Sequence, residues 1–234
     1  MDQFPETQPF EQALTHARLR PDEAVLDLSG RAGTVALRIA PEVLSVEAVQ
    51  PQEELAEEGR RLAAALGTHN VYFHAGPLNS LPFDRAQFSL ALWLLSLSSE
   101  PQPLRTLGEI ARVLKPGGRL VLQDVVSFEV PALDLKLGEM ERCRNPRHLL
   151  FYNPQEIQTL IDLAGLHIES TGRASLTQDF DYWLDPLSLK AEEALALKQS
   201  FFLMNPAEQD LIDLSLTDRK ISFSQRILTV TATA

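Results

Sequence analysis

Cysteine is nearly absent: Cys143 stands alone in 234 residues. It has no partner for an internal disulfide and no companions for a cysteine-rich zinc site, so no metal is expected and a reducing cytoplasm is the expected location. Positive charge is scarce as well. The 21 lysines and arginines face 32 aspartates and glutamates, giving a net charge of −11 and a pI near 4.9. Such a surface repels phosphate backbones and anionic membranes, which argues against nucleic acid as a partner. Long apolar runs are missing too. No stretch approaches membrane-spanning length, and the opening Met1-Asp2-Gln3-Phe4-Pro5-Glu6 has neither the basic region nor the apolar run of a secretory leader, so no membrane association is expected. Internal repeats and low-complexity segments are also absent, and the oligomeric state is left open.

What is present suffices for a full α/β core, since 44% of the residues are hydrophobic. The chain is organised around Val25-Leu26-Asp27-Leu28-Ser29-Gly30-Arg31-Ala32-Gly33-Thr34, a short apolar run ending in an acid, then a turn with two glycines, then a helix start. A strand whose C-terminal end opens into a ligand crevice has this form. Asp27 can accept hydrogen bonds from turn amides or from a cationic amine on a ligand, and glycine lets a ligand approach the main chain. Residues 1 to 9 read as loose. Helices are predicted over 10–19, 33–40, 51–66 and 101–114, and strands over 25–28, 43–49, 71–75, 88–96 and 119–126. This alternation argues for a doubly wound, mostly parallel sheet.

The run Glu109-Ile110-Ala111-Arg112-Val113-Leu114-Lys115-Pro116-Gly117-Gly118-Arg119-Leu120-Val121-Leu122 resembles the helix–turn–strand of class I S-adenosylmethionine-dependent methyltransferases. Leu81-Pro82-Phe83 followed by Phe88-Ser89-Leu90 resembles the same family's fourth-strand region, and Val25-Leu26-Asp27-Leu28 falls where its first strand belongs. Arg142-Cys143-Arg144-Asn145-Pro146-Arg147-His148 and Ala164-Gly165-Leu166 are similar to the Arg-Asp-Pro-Ser-His and Ala-Gly-Phe segments of a small-molecule branch. The resemblance implies a Rossmann-like seven-stranded sheet in a single domain over 1–234, with later strands near 166–171 and 221–231, the last one antiparallel. A helical insertion at about 179–218 is expected, with helices over 190–204 and 206–216. Phe201, Phe202 and Leu203 either bury this insertion on the sheet or help shape a substrate pocket.

By the same resemblance, S-adenosylmethionine is the expected cofactor. Its expected contacts are Asp27, Ser29, Gly30, Arg31, Gly33, Glu47, Leu78 and Trp93. Several of these depart from the family. Ser29, Arg31 and Gly33 stand at the three glycine positions of the turn, so Arg31 can point away, pair with the cofactor's carboxylate or fill its space. Glu47 is the acid nearest the end of the second strand, where the family's carboxylate accepts both ribose hydroxyls; the alternative is a solvated glutamate. Pro77 replaces the adenine-side acid, Ser89 replaces an aspartate, and the bulky Trp93 stands where small residues are usual.

Few side chains suggest acid–base work. His148 is the catalytic candidate, able to take a proton from a hydroxyl or amine, though a lone histidine also serves structurally. Arg144 and Arg147 can hold a substrate carboxylate or phosphate, or act as surface charges, and Tyr152 can serve the same mouth or fill an interface. His74 reads as core or strand-edge, and His16, His69 and His167 as surface. No Asn/Asp-Pro-Pro-Tyr/Phe/Trp motif occurs, which disfavours base or amide-nitrogen substrates. Two functions remain: a methyltransferase acting on a small molecule, or a protein of this fold that has lost its cofactor and acts as a binding or assembly partner. A dinucleotide-binding protein has no place for Lys115-Pro116-Gly117-Gly118.

Overall fold

A computed structural model describes residues 8–184, 189–217 and 220–234. The strands are β1 (Ala24–Asp27), β2 (Ser45–Gln50), β3 (Val71–Ala75), β4 (Phe88–Leu94), β5 (Leu114–Val126), β6 (His167–Asp179), β7 (Ser215–Leu216) and β8 (Ile221–Thr233). Seven of them form one path in the order β3-β2-β1-β4-β5-β8-β6, with the two-residue β7 attached to β8. Pairing is parallel from β3 through to β5, while β8 runs antiparallel to β5 and β6. This is the mostly parallel Rossmann-like sheet with an antiparallel last strand, and β1 is interior to it.

The sheet is interior because its strands feed two cores. On β4, Ala91 and Trp93 join one cluster while Leu90, Leu92 and Leu94 join the other, as the two-residue side-chain period requires. The first cluster takes Leu107 and Ile110 from α4 (Pro103–Val113) and Ile157 and Ile161 from α6 (Pro154–Leu163). The second takes residues of α1 (Gln8–Ala17), α2 (Thr34–Ile39) and α3 (Glu53–Leu66). Helix ends carry their own signals. Asn153 and Glu156 make a reciprocal capping box at the start of α6, and Gly67 closes α3 in the left-handed conformation.

Four expectations need correction. Helix α5 (Pro131–Arg144) was not foreseen. The sixth strand runs to Asp179 instead of stopping near Thr171, because β8 supplies a ladder partner along its whole length. In the insertion, α8 (Ala191–Phe202) forms, but α9 (Pro206–Leu211) stops five residues early and Ser215–Leu216 is strand β7. Phe201 is buried with Trp183 of α7 (Phe180–Trp183), Phe223 and Leu133 in a third cluster, yet Phe202 and Leu203 are 54% and 80% exposed and bury nothing.

Candidate active site

A crevice of about 1050 Å³ lies across the C-terminal ends of β1, β4 and β5, the place where open α/β sheets take ligands. Its first side is built from Asp27. That residue is fully buried; its Oδ1 accepts from Ser29 N (2.9 Å) and its Oδ2 from Ala36 N (3.1 Å), clamping the turn to the first turn of α2. Burial pushes its carboxyl up to about 6, against hydrogen bonds from Ser29 and Ala36 that pull it down. The Ser29 hydroxyl accepts from Leu94 N (3.1 Å), and Ser96 Oγ donates to Leu28 O (3.3 Å), so the ends of β1 and β4 are stitched together.

The turn then uses three left-handed residues, Gly30 (φ 71°), Ala32 (φ 52°) and Gly33 (φ 69°). At Gly33 a Cβ would stand 2.2 Å from the Phe73 ring, so glycine is demanded by packing as well as by φ. At Gly30, which lines the crevice, a Cβ would meet nothing within 4 Å. The missing side chain leaves open main chain facing the cavity. The side chain of Arg31 lies outside the described residues.

Strand β2 ends at Gln50, not at Glu47. Glu47 sits three residues earlier with its Oε2 2.5 Å from His74 Nε2, and it is not part of the crevice wall. Gln50 is fully buried, and neither its side-chain oxygen nor its nitrogen has a hydrogen-bond partner in the protein. Its backbone oxygen accepts from Gly76 N (2.9 Å), and Pro51 and Gly76 on either side line the crevice together with Pro77 and Leu78. Trp93 is likewise absent from the wall, being wholly buried in the core beside Leu26 and Leu28. Ser89 lies near the N-terminal end of β4, the opposite end of the strand from the crevice. Asp27 and Gly33 act from behind the wall, through the turn.

The floor follows β4. Asp124, near the C-terminal end of β5, accepts from Ser98 N (3.1 Å) and Val125 N (2.7 Å), and burial pushes its carboxyl up to about 6. The far side is the loop after α5. Asn145 organises it: its backbone oxygen accepts from His148 N (2.9 Å), its Oδ1 accepts from Arg147 N (3.1 Å), and Leu149 N donates to Ser98 O (2.9 Å). These bonds bring Arg144, Arg147 and His148 together on the crevice wall. Arg144 is ion-paired with the buried Glu141 and lies 5.2 Å from the centre of the Trp183 ring. His148 is only 2% exposed, packs 4.4 Å from the Phe151 ring, and leaves Nε2 without a partner. Burial, then the charges of Arg142 and Arg144, pull its pKa down to about 4, so its imidazole is neutral at ordinary pH. Tyr152 is not on this wall. It packs on the first core cluster, its backbone oxygen accepts from Ser127 N (3.0 Å), and Phe151 takes the wall position.

Sequence reasoning missed Gln50, Asp124, Glu141 and Trp183. Asp124 had a signal, because an acid closing an apolar strand repeats the pattern of Asp27. Glu141 and Trp183 are brought to one wall only by the packing of α5 and α7, and Gln50 is set at the end of β2 by its pairing with β3.

Residues 25–118 match the family described as a methyltransferase domain. The chain is 30% identical over 156 residues to the uncharacterized protein YafE of Escherichia coli (strain K12), covering 67% of this chain and 74% of that protein. The chain belongs to the class I S-adenosylmethionine-dependent methyltransferases. It is also 29% identical over 168 residues to the uncharacterized methyltransferase YcgJ of Bacillus subtilis (strain 168), covering 72% of this chain and 66% of that sequence. The YcgJ crystal structure superposes with a TM-score of 0.88 at 24% identity, covering 96% and 97% of the two chains. The geranyl diphosphate C-methyltransferase of Streptomyces coelicolor A3(2), solved with S-adenosylhomocysteine, has a TM-score of 0.63 at 18% identity, covering 96% and 77%. S-adenosylmethionine is thus the cofactor of the methyltransferase family, and the residues around Gly30 and Gln50 suit it: an open backbone cradle and an unpaired buried amide. Among the described residues, no helix is long and apolar enough to cross a membrane.

Proposed function

We propose that this methyltransferase carries a methyl group from S-adenosylmethionine to a small-molecule acceptor held in the crevice, with residues 1–234 acting as one unit. The carrying observation is the open main chain of Gly30 on the crevice wall, with the unpaired buried amide of Gln50 next in sequence to Pro51 of the same wall. When bound, the cofactor supplies a methyl group on a sulfonium, whose leaving group is a neutral thioether. In this reading Gly30 and the amides of its turn take the amino-acid end, while Asp27 and Ser29 hold that turn in shape. Gln50, fully buried behind the wall that Pro51 and Gly76 form, offers one acceptor and two donors to the ribose hydroxyls when its amide turns toward the crevice. Gly76, Pro77 and Leu78 flank the base.

The protein's share of the catalysis is alignment, because departure of a neutral group needs little acid–base help. Residues 144–148, fixed by Asn145, hold the acceptor across from the Gly30 turn. His148, kept neutral, is ready to take the acceptor's proton at Nε2. The size of the crevice supports the reading, since about 1050 Å³ exceeds what one drug-sized ligand fills and leaves room for a second molecule.

Calorimetric titration with S-adenosylhomocysteine tests it. The wild-type protein should bind, and Gly30→Ala should bind at least tenfold more weakly, because its Cβ takes up room on the cradle that the ligand would use. Absence of binding to the folded wild type would return the chain to a non-catalytic role for its fold.

A further inference from the structure

The far wall of the crevice carries a cluster of unmet hydrogen-bonding nitrogens. Arg144 Nε, His148 Nε2 and Trp183 Nε1 are all buried without a partner in the protein, and all three residues line the crevice. Burying one such group costs about 1–3 kcal/mol, so three together on one wall mark a place built for something that bonds to them. Their neighbourhood is shared. The Arg144 guanidinium lies 5.2 Å from the Trp183 ring centre, and its charge is felt at His148.

The donor set decides the chemistry. Arginine nitrogens and the indole nitrogen donate only, and neutral histidine can donate or accept at Nε2. Glu141 fixes Arg144 through Nη2, leaving Nε uncommitted on a guanidinium already oriented by its ion pair and by the indole face. Arg147 adds a second cation on the same wall, in a chain whose net charge is −11. The unpaired Nε of the Arg144 guanidinium, the indole nitrogen of Trp183 and the second guanidinium of Arg147 together favour an oxyanion. Around them, Phe151, Leu176, Trp183 and Leu184 supply an apolar surface suited to a ring.

We propose that the methyl acceptor carries an oxyanion, a carboxylate or phosphate on an apolar body, which is seated by Arg144 Nε and Trp183 Nε1 with Arg147 beside them. This rests on the methyltransferase reading above and names the acceptor class for the same crevice. His148 Nε2 then remains available for the proton of the group being methylated.

The test titrates benzoate, phenyl phosphate and benzamide into the protein, with and without saturating S-adenosylhomocysteine. Benzoate or phenyl phosphate should bind saturably and benzamide at least tenfold more weakly, and the tighter of the two anions identifies carboxylate or phosphate as the source. Arg144→Gln alone would strand Glu141 in the interior, so the variant used is the double Glu141→Gln/Arg144→Gln. It should weaken anion binding at least tenfold while S-adenosylhomocysteine affinity stays within twofold. Glu141→Gln alone should tighten the anion severalfold, because it removes the competing carboxylate, a gain that a purely structural ion pair would not produce. Equal binding of benzamide, or weaker anion binding by Glu141→Gln, overturns the proposal. Failure of S-adenosylhomocysteine to bind would overturn the methyltransferase reading instead, and the titrations without it would still decide whether the wall takes an oxyanion.

Discussion

Gln50 combines two properties that pull in opposite directions: a fully buried amide with no partner, and a place at the end of the strand whose neighbours form the crevice. Replacing it with leucine removes the unmet polar group at nearly the same volume. Gln50→Leu should therefore raise stability by about 1–2 kcal/mol in denaturant unfolding. It should also weaken S-adenosylhomocysteine about tenfold by calorimetry, the loss expected for hydrogen bonds worth about 1–1.5 kcal/mol. A variant that is neither more stable nor weaker in binding would remove Gln50 from the site. Glu47→Ala should leave the affinity unchanged, since Glu47 is engaged with His74. The sequence points to Glu47 because it is the last acid in the apolar run Val43–Val49. Strand ends are set by pairing, however, and the Gln50–Ala75 register with β3 carries β2 one residue further.

At the scale of elements, β1, its turn and α2 were legible because the local signals agree: an apolar run, an acid, glycines where φ is positive, then a helix that ends at Ile39, two residues before Pro41. Strand β3 was legible at both ends for the same reason. The outer half of β6 was not. Residues 172–179 are mostly polar and only partly buried, and only the ladder with β8 makes them a strand, which is tertiary context overriding local preference. Helix α5 was obscured by its mixed faces, and the buried Glu141 near its end is paired with Arg144, whose guanidinium lies over the ring of the sequence-distant Trp183. The turn gives the element-scale test. Gly33→Ala should cost about 2–4 kcal/mol by thermal or denaturant unfolding, since it combines a strained φ of 69° with a Cβ driven into Phe73. Phe73→Leu should recover part of the loss in the double variant, leaving the backbone strain. Ser29→Gly, which restores a family glycine, should destabilise by about 1–3 kcal/mol because Leu94 N loses its acceptor. The serine is thus a stitch between β1 and β4, which residue counting against a glycine pattern does not reveal.

For the whole molecule, the crevice and its supports make stability depend on pH in two opposing ways. Asp27 and Asp124 have folded pKa values raised from 3.8 to about 6, so their contribution is fully present below 3.8 and is lost as pH rises through 6. His148 is lowered from 6.5 to about 4, so its contribution is fully present above 6.5 and is lost as pH falls through 4. Glu109, Asp179 and Glu208, held below the usual carboxylate range by hydrogen bonds from Arg112, Lys220 and Lys136, lose theirs on further acidification. Between pH 4.5 and 6 the two buried aspartates outweigh the one histidine, and comparison of wild type with Asp124→Asn isolates one of them. The variant should be the less stable protein at pH 4.5, because an amide retains one oxygen for the two backbone donors Ser98 N and Val125 N. As pH rises to 7 the deficit should shrink by about 2 kcal/mol, near 1.4 kcal/mol for each pH unit in which only the unfolded wild-type Asp124 is ionised. Urea unfolding of both proteins across this range measures the gap. A gap that stays constant would mean that Asp124 is ionised throughout, its desolvation offset by the amides of the β4 loop, and the crevice would then carry a full negative charge at its floor even in acid.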